Sequence, residues 1–378
     1  MFTEFSIGTL RLPNRIVMAP MTRLRVGTGN TPTALNALYY AQRASCGLII
    51  SEAIAVSPQA RGYLGTPGLY SPEQLLGWTH VVDAVHRAGG RMVAQLSHVG
   101  RVSHISVLPT GCAPVSATAK HVETLETFAI AVGGKPGKVA VSPPRALSAA
   151  GIADVVAQFA RAASLARQAG FDGVEILAGN GYLIEEFLNA ANNTRDDCYG
   201  GLCAENRCRV LIDILEAVAA ELDDACPILV RLSPYGFFNC MPADPDVEET
   251  YLYLADRLRE LGISCVHLNN ERAPIGYLND TANALAQASL QRLIPPAFVT
   301  RFKARFDGPM MLCGALDGDS ARQLLRDKEI DLVAFGLPFV ANPDLSERLR
   351  NHWPLAEPDT ATLYAGEEQG YVDYPPYR

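Results

Sequence analysis

Several signatures are missing from this chain, and each absence narrows the reading. Within its 378 residues there is no run of roughly 18 apolar residues, the length a bilayer-spanning helix requires. The N-terminal stretch MFTEFSIGTLRLPNR has no apolar core of the signal-peptide kind. Nine cysteines are scattered without a CxxC pair. Cys265 and Cys313 fall in apolar, strand-like runs where a thiol behaves as a small hydrophobe. That usage fits a reducing cytoplasm rather than a disulfide framework. Neither HExxH nor a His/Cys cluster with ligand spacing occurs, so no metal site is expected. The GxSxG nucleophile elbow is also missing. Charged residues are only 19% of the chain, and a net charge of −8 spread among both signs disfavours nucleic acid or an anionic membrane as the main partner.

What is present is a sizeable apolar fraction, 48%, arranged as strand-like runs alternating with amphipathic stretches of helical spacing. The runs at 15–19, 47–54, 91–96, 173–177, 228–232, 264–268, 309–313 and 331–335 read as strands. Stretches 34–43, 72–88, 152–169, 205–222, 247–261, 296–306, 320–326 and 343–350 read as helices between and after them. Eight such units predict an α/β fold of the (β/α)8 TIM-barrel type, forming a single domain over 1–378. A doubly wound sheet is the rival architecture. It would carry a Gly-rich phosphate turn after its first strand, where this chain has Ala19-Pro20-Met21-Thr22. Residues 4–12 alternate like a short N-terminal hairpin that could plug the barrel bottom. Segment 103–144 is a long insertion after strand 3, and loops of that length usually serve as lids or subdomains.

In such barrels the carboxyl ends of the strands carry the chemistry. The stretch VEILAGNGYLIEEFL runs from a buried strand into Asn180-Gly-Tyr182, which puts an amide and a phenol at a strand end. An amide polarises a carbonyl and a phenol donates a proton, so the pair suggests acid-assisted chemistry on an oxygen-bearing substrate. The other strand ends offer Pro20, Met21, Thr22, Ala53, Gln95, Ser97, His98, Arg231, Gly314-Ala315 and Gly336-Leu337. Together they suit a flavin. A carboxamide such as Gln95 matches the pyrimidine edge, and the Thr22 hydroxyl can tune the ring electronics. Arg231 lies in an apolar strand, where a cation needs a partner to offset desolvation; an electron-rich ligand would be one. Backbone groups at 314–315 and 336–337 occupy the usual phosphate position after the last two strands.

The segments NRIVMAPMTRLR, AGGRMVAQLSHVGRVSH, GFDGVEILAGNGYLIEEFL, DDCYGG with ENRCR, VRLSPYG, DLVAFGLPFVANPDL and GYVDYP resemble, in order, those of the Old Yellow Enzyme family of FMN-dependent ene-reductases. The resemblance implies a TIM barrel with FMN at its mouth and NAD(P)H as reductant. It implies reduction of the C=C bond of α,β-unsaturated carbonyl or nitro compounds, small-molecule activated alkenes. Hydride would pass from flavin N5 to Cβ, and a proton from Tyr182 to Cα. By motif position Pro20, Met21, Thr22, Ala53, Gln95, Arg231, Gly314, Ala315, Gly336 and Leu337 would bind the cofactor. Tyr63, Ser97, Leu177, Asn180 and Tyr364 would line the substrate pocket. The chain would be a cytoplasmic monomer or homodimer.

Three departures from the family pattern stand out. Leu177 occupies the place of a His that grips the substrate oxygen together with Asn180. Loss of one such donor typically costs about 3–4 kcal/mol. Ser97 replaces an aromatic and would open the pocket. Leu337 replaces an Arg on the FMN phosphate, and Ala315 replaces a glycine of the phosphate turn. His98, Arg101, Asn239 and Arg272 are candidates for a compensating donor. These changes keep two alternatives open: a non-redox double-bond isomerase on the same scaffold, or a weakly flavin-binding pseudoenzyme.

Overall fold

The computed structural model describes residues 1–223, 225–270, 294–314 and 316–377. Eight parallel strands form its centre: β1 (Ile16–Met18), β2 (Leu48–Ile50), β3 (Met92–Ser97), β4 (Gly173–Ala178), β5 (Ile228–Leu232), β6 (Cys265–Asn269), β7 (Met310–Cys313) and β8 (Leu332–Phe335). Each pairs with its successor, and β8 pairs with β1, which closes the barrel. The doubly wound alternative is thereby excluded. The main helices are α1 (Ala34–Ala41), α2 (Pro72–Arg87), α3 (Ala149–Gln168), α4 (Ala204–Glu221), α5 (Val247–Glu260), α6 (Pro296–Phe306), α7 (Gly318–Arg326) and α8 (Leu345–Asn351), with short helical turns at Leu183–Leu188 and Leu337–Ala341. Ser71 and Ser148 cap α2 and α3 by accepting from Gln74 N and Gly151 N, which satisfies donors the helices cannot use themselves.

Strand alternation separates two cores. Outward-facing Met18, Ile49, Met92, Ile176, Val230, Leu268 and Val333 pack against helix residues such as Trp78, Phe159, Leu211, Leu254 and Phe302. Inward-facing Val17, Leu48, Val93, Leu229, Cys265, Met311 and Leu332 fill the lumen. Before β1, strands Phe5–Ile7 and Leu10–Leu12 make the expected antiparallel hairpin. Its Ile7, Leu10 and Leu12 join that inner cluster and close the bottom. The expected strand over 47–54 is divided: β2 stops at Ile50, and Ile54–Ala55 runs separately beside β3. The break falls at two buried polar residues: Ser51 N still donates to Val93 O while its Oγ accepts from Gln95 N, and Glu52 N turns away to donate to Tyr40 Oη.

Segment 103–144 contains a hairpin, Glu126–Ile130 with Pro136–Ala140. It docks on the loop after β2 through Leu64 N donating to Phe128 O and Thr127 Oγ1 donating to Gly62 O. Leu125 and Val141 then pack with Val99, Val102 and Tyr63 in a small separate cluster. Among the described residues, no helix is long and apolar enough to cross a membrane, and no group of three metal-ligating side chains occurs.

Candidate functional site

A cavity of about 550 Å³ opens at the carboxyl ends of the strands. That is within the usual range for small-ligand sites. Its lining includes Pro20, Met21, Thr22, Ala53, Tyr63, Gln95, Leu177, Asn180, Tyr182, Arg231, Gly314, Gly336, Leu337 and Tyr364, drawn from strand ends far apart in sequence. Ala315 and Arg272 lie outside the described residues. Ser97 differs from the expectation. It is buried at the end of β3 and is not among the lining residues; its hydroxyl donates to Ile54 O at 3.1 Å and pins the short strand 54–55. Its hydroxyl is therefore committed to the backbone rather than presented to the cavity.

The cavity floor is a polar layer above the apolar lumen. Gln95 Nε2 donates to Glu175 Oε1 at 2.7 Å, and His267 Nδ1 meets Glu175 Oε2 at 2.8 Å. Glu175 and His267 are fully buried. Burial would raise the Glu175 pKa, but His267, Arg231 and Gln95 outweigh it and hold the carboxyl below its ordinary value. Burial likewise opposes a charged His267, and Glu175 overcomes it, so the imidazole is raised. With Arg231 beside them, the floor sets a guanidinium, and an imidazole whose pKa Glu175 raises, against one carboxylate. Arg231 is only 5% exposed, and its Nε has no hydrogen-bond partner. An orphaned buried guanidinium nitrogen at a cavity wall calls for an electron-rich ligand. Because Gln95 spends its amide nitrogen on Glu175, its Oε1 is the end left for a donor. These groups fit the donor and acceptor edge of a flavin.

Above the floor, Asn180 is gripped on three sides. Asn180 N donates to Ser233 Oγ at 2.7 Å, Asn239 Nδ2 donates to Asn180 O at 2.8 Å, and Asn269 Nδ2 donates to Asn180 Oδ1 at 2.9 Å. The acceptor end of the amide is thus occupied, and Nδ2 is the end available to a ligand oxygen. Asn180 sits at φ +61° and Gly181 at φ +70°. Asn tolerates the left-handed region. Glycine is needed next, since a Cβ there would lie 2.3 Å from Phe238 O. The Asn-Gly pair is thus set by backbone shape as well as by chemistry. Beside it, the Tyr182 and Tyr63 hydroxyls are 3.2 Å apart. Burial first, and then its neighbour Tyr182, push the Tyr63 phenol well above its ordinary pKa, so Tyr63 keeps its proton.

Among the other donor candidates, Arg101 is committed to Asn192 and to carbonyls of 239 and 240. His98 is fully buried, and desolvation holds its pKa down at about 3. Asn239 does line the cavity, but its amide is spent on Asn180. Leu177 lies opposite Arg231 in the β4–β5 pair and lines the cavity. The strand-end reading does not pick out Asn269, Phe237, Phe238 or Glu126, all of which line the cavity. For Asn269 the signal was present, since Asn269 ends β6 and a second asparagine, Asn270, follows it. The aromatic pair comes from the segment after β5, and Glu126 opens the hairpin of the 103–144 insertion, neither of which the strand-end reading covers.

Comparison with known proteins agrees with this geometry. The profile of the NADH:flavin oxidoreductase / NADH oxidase family matches residues 1–356. The chain is 37% identical over 378 residues to 12-oxophytodienoate reductase 1 of Oryza sativa subsp. japonica, covering 99% of this chain and 92% of that protein. Morphinone reductase superposes with a TM-score of 0.91 at 42% identity, covering 100% of this chain and 96% of the other. The Old Yellow Enzyme homologue from Zymomonas mobilis gives 0.87 at 34%, with 99% of each chain covered. A cavity floored for a flavin, set in a closed barrel and matched over nearly its whole length, places this chain in the NADH:flavin oxidoreductase / NADH oxidase family, as an FMN oxidoreductase of the Old Yellow Enzyme group.

Proposed function

We propose that the protein reduces the C=C bond of α,β-unsaturated carbonyl or nitro compounds at the expense of NAD(P)H. The observation that carries this reading is the clamped Asn180 amide, turned donor-end toward the cavity beside the Tyr182–Tyr63 pair. Relatives named for reducing a 12-oxophytodienoate and a morphinone support an oxo-bearing substrate. Morphinone reductase has also been solved with tetrahydroNAD, which supports a nicotinamide as reductant.

Bound FMN supplies the two-electron redox chemistry between nicotinamide and alkene. Arg231, with His267 whose pKa Glu175 raises, would favour extra negative charge on the bound cofactor, and Gln95 and Thr22 would hold its ring edge. Asn180 Nδ2 donates to the substrate oxygen and draws electron density from the alkene. Tyr182 Oη delivers a proton to Cα, while Tyr63, which stays protonated, hydrogen-bonds the phenolate left behind. Leu177 makes that wall apolar and withdraws one oxygen donor. Segment 103–144 serves as a lid whose cluster holds Tyr63 over the cavity.

The test is anaerobic. NADH and NADPH are added separately to the yellow protein, the bleaching is followed, and 2-cyclohexenone is added. Bleaching by a nicotinamide and recovery of colour with one product per nicotinamide support the reductase. Turnover of the alkene without nicotinamide consumption would replace it with the isomerase. A protein that stays colourless with excess FMN would end the redox reading.

A further inference from the structure

The two polar groups set against the substrate, the Asn180 amide and the Tyr182 phenol, sit on one backbone turn, and a buried carboxylate braces that turn from behind. Glu185 is 3% exposed and is the third residue of the helical turn Leu183–Leu188, for which Tyr182 is the N-cap. A glutamate in that place can reach back to a backbone N–H that the helix leaves unused. Glu185 Oε2 does so one residue further back than usual, accepting from Gly181 N at 2.5 Å. The same oxygen accepts from Ser233 Oγ at 2.9 Å, and Ser233 Oγ in turn accepts from Asn180 N at 2.7 Å. Because the serine proton is directed at the carboxylate, a lone pair of the hydroxyl is left facing Asn180 N. Ser233 directly follows β5 and is fully buried, so this link ties the end of β5 to the turn after β4. Gly179 leaves room for it, since a Cβ there would lie 2.7 Å from Ser233 Oγ. The left-handed backbone at Asn180 and Gly181 is of the kind that persists only where surrounding bonds hold it.

The geometry points to Glu185 as a positioning residue, acting through Ser233 and Gly181 to fix the Asn180 amide and the Tyr182 hydroxyl relative to each other. The roles of Asn180 and Tyr182 rest on the reduction proposed above; the hydrogen bonds of the brace do not. One carboxylate oxygen gathers the N–H groups of residues 180 and 181, the second directly and the first through the serine hydroxyl. Neither Glu185 nor Ser233 lines the main cavity, so their influence on a ligand there passes through the turn. Asn239 holds the Asn180 carbonyl and Asn269 its amide oxygen, and neither takes the N–H groups that Glu185 gathers. Without the brace the turn relaxes, and the donor to the substrate oxygen and the proton donor lose their common register. Rates are sensitive to displacements of that kind.

The experiment places Glu185→Ala in the FMN-loaded full-length chain, alone and in a chain that already carries Asn180→Gly and Tyr182→Phe. Glycine at 180 removes the amide while accepting the left-handed backbone. Retained flavin colour reports folding. The readouts are the affinity for phenol, taken from the flavin spectrum, and kcat for 2-cyclohexenone at saturating alkene. Alone, Glu185→Ala is expected to weaken phenol binding about fivefold and to lower kcat about tenfold. In the chain lacking both positioned groups it should cost less than about twofold in either, because residues that act as one unit do not add. Equal losses in the two backgrounds would make Glu185 a support of the fold and overturn the proposal, as would unchanged phenol binding and kcat in the single variant. Should Glu185→Ala lose its flavin, Ser233→Ala, which cuts only the arm to Asn180, is read in the same two backgrounds with the same expected and overturning results. Failure of the wild type to reduce the alkene, with phenol binding still weakened by Glu185→Ala, would count against the function proposed above and leave the brace standing.

Discussion

The chemistry of the site depends on which end of one amide faces the cavity. Asn269 holds Asn180 Oδ1, so Asn269→Ala should free the amide to turn. A phenol titration of the flavin spectrum would then show affinity weakened roughly two- to tenfold, the value of one hydrogen bond of about 0.5–1.5 kcal/mol. Leu177→His should act in the opposite sense. Restoring a second oxygen donor is expected to raise alkene turnover by about 10²–10³, read as kcat with saturating alkene. If phenol binding and turnover both stay unchanged, Leu177 does not face the substrate oxygen. Tyr182→Phe should slow alkene reduction by ~10²–10⁴, the usual contribution of a general acid, and leave flavin bleaching by the nicotinamide intact. Stopped-flow measurement of the two half-reactions separates these outcomes.

At the scale of elements, the C-terminal tail is a strap held by buried arginines. Arg25 Nε donates to Glu367 O at 2.9 Å and its Nη1 to Leu363 O at 3.0 Å. Arg23 Nη2 donates to Gly370 O at 2.7 Å. The strap carries Leu363 and Tyr364 onto the cavity wall. Arg25→Ala removes several charge-assisted bonds, each worth about 1.5–3 kcal/mol. It is expected to expose segment 359–371 to limited proteolysis and to raise KM for the alkene while the flavin spectrum is kept. An unaltered digestion pattern would show that the strap stands without Arg25. The family resemblance placed Tyr364 in the pocket, but the arginine anchorage of the strap is not legible in sequence. Arg23 and Arg25 sit next to Thr22 in the chain but are bonded to carbonyls some 340 positions away. The barrel strands, by contrast, are legible because each is a short apolar run between amphipathic stretches. The divided second strand is the exception, since Ser51 and Glu52 find their partners only after folding.

At the scale of the whole molecule, buried carboxyls make stability depend on pH. Glu52 is fully buried, and desolvation raises it from the ordinary 4.5 to about 7, despite Arg23. The folded chain then binds a proton that the unfolded chain has already released. The stability so gained is complete below about pH 4.5 and is lost as pH rises through about 7. Glu186 behaves alike, also raised to about 7 by burial. Glu52→Gln mimics the protonated form. Its urea midpoint should exceed that of the wild type at pH 8.5, and the gap should close at pH 5. A constant gap across that range would place the cost elsewhere.

Strand and helix alternation, the plugging hairpin and most strand-end side chains follow from the sequence, because hydrophobic period and turn chemistry are local properties. The orientation of the Asn180 amide, the loss of Ser97 to a backbone bond and the Glu175–His267 floor belong to the tertiary structure. Each depends on partners brought from other strands by closure of the barrel. Only that closure buries them deeply enough for one neighbour to decide a protonation state.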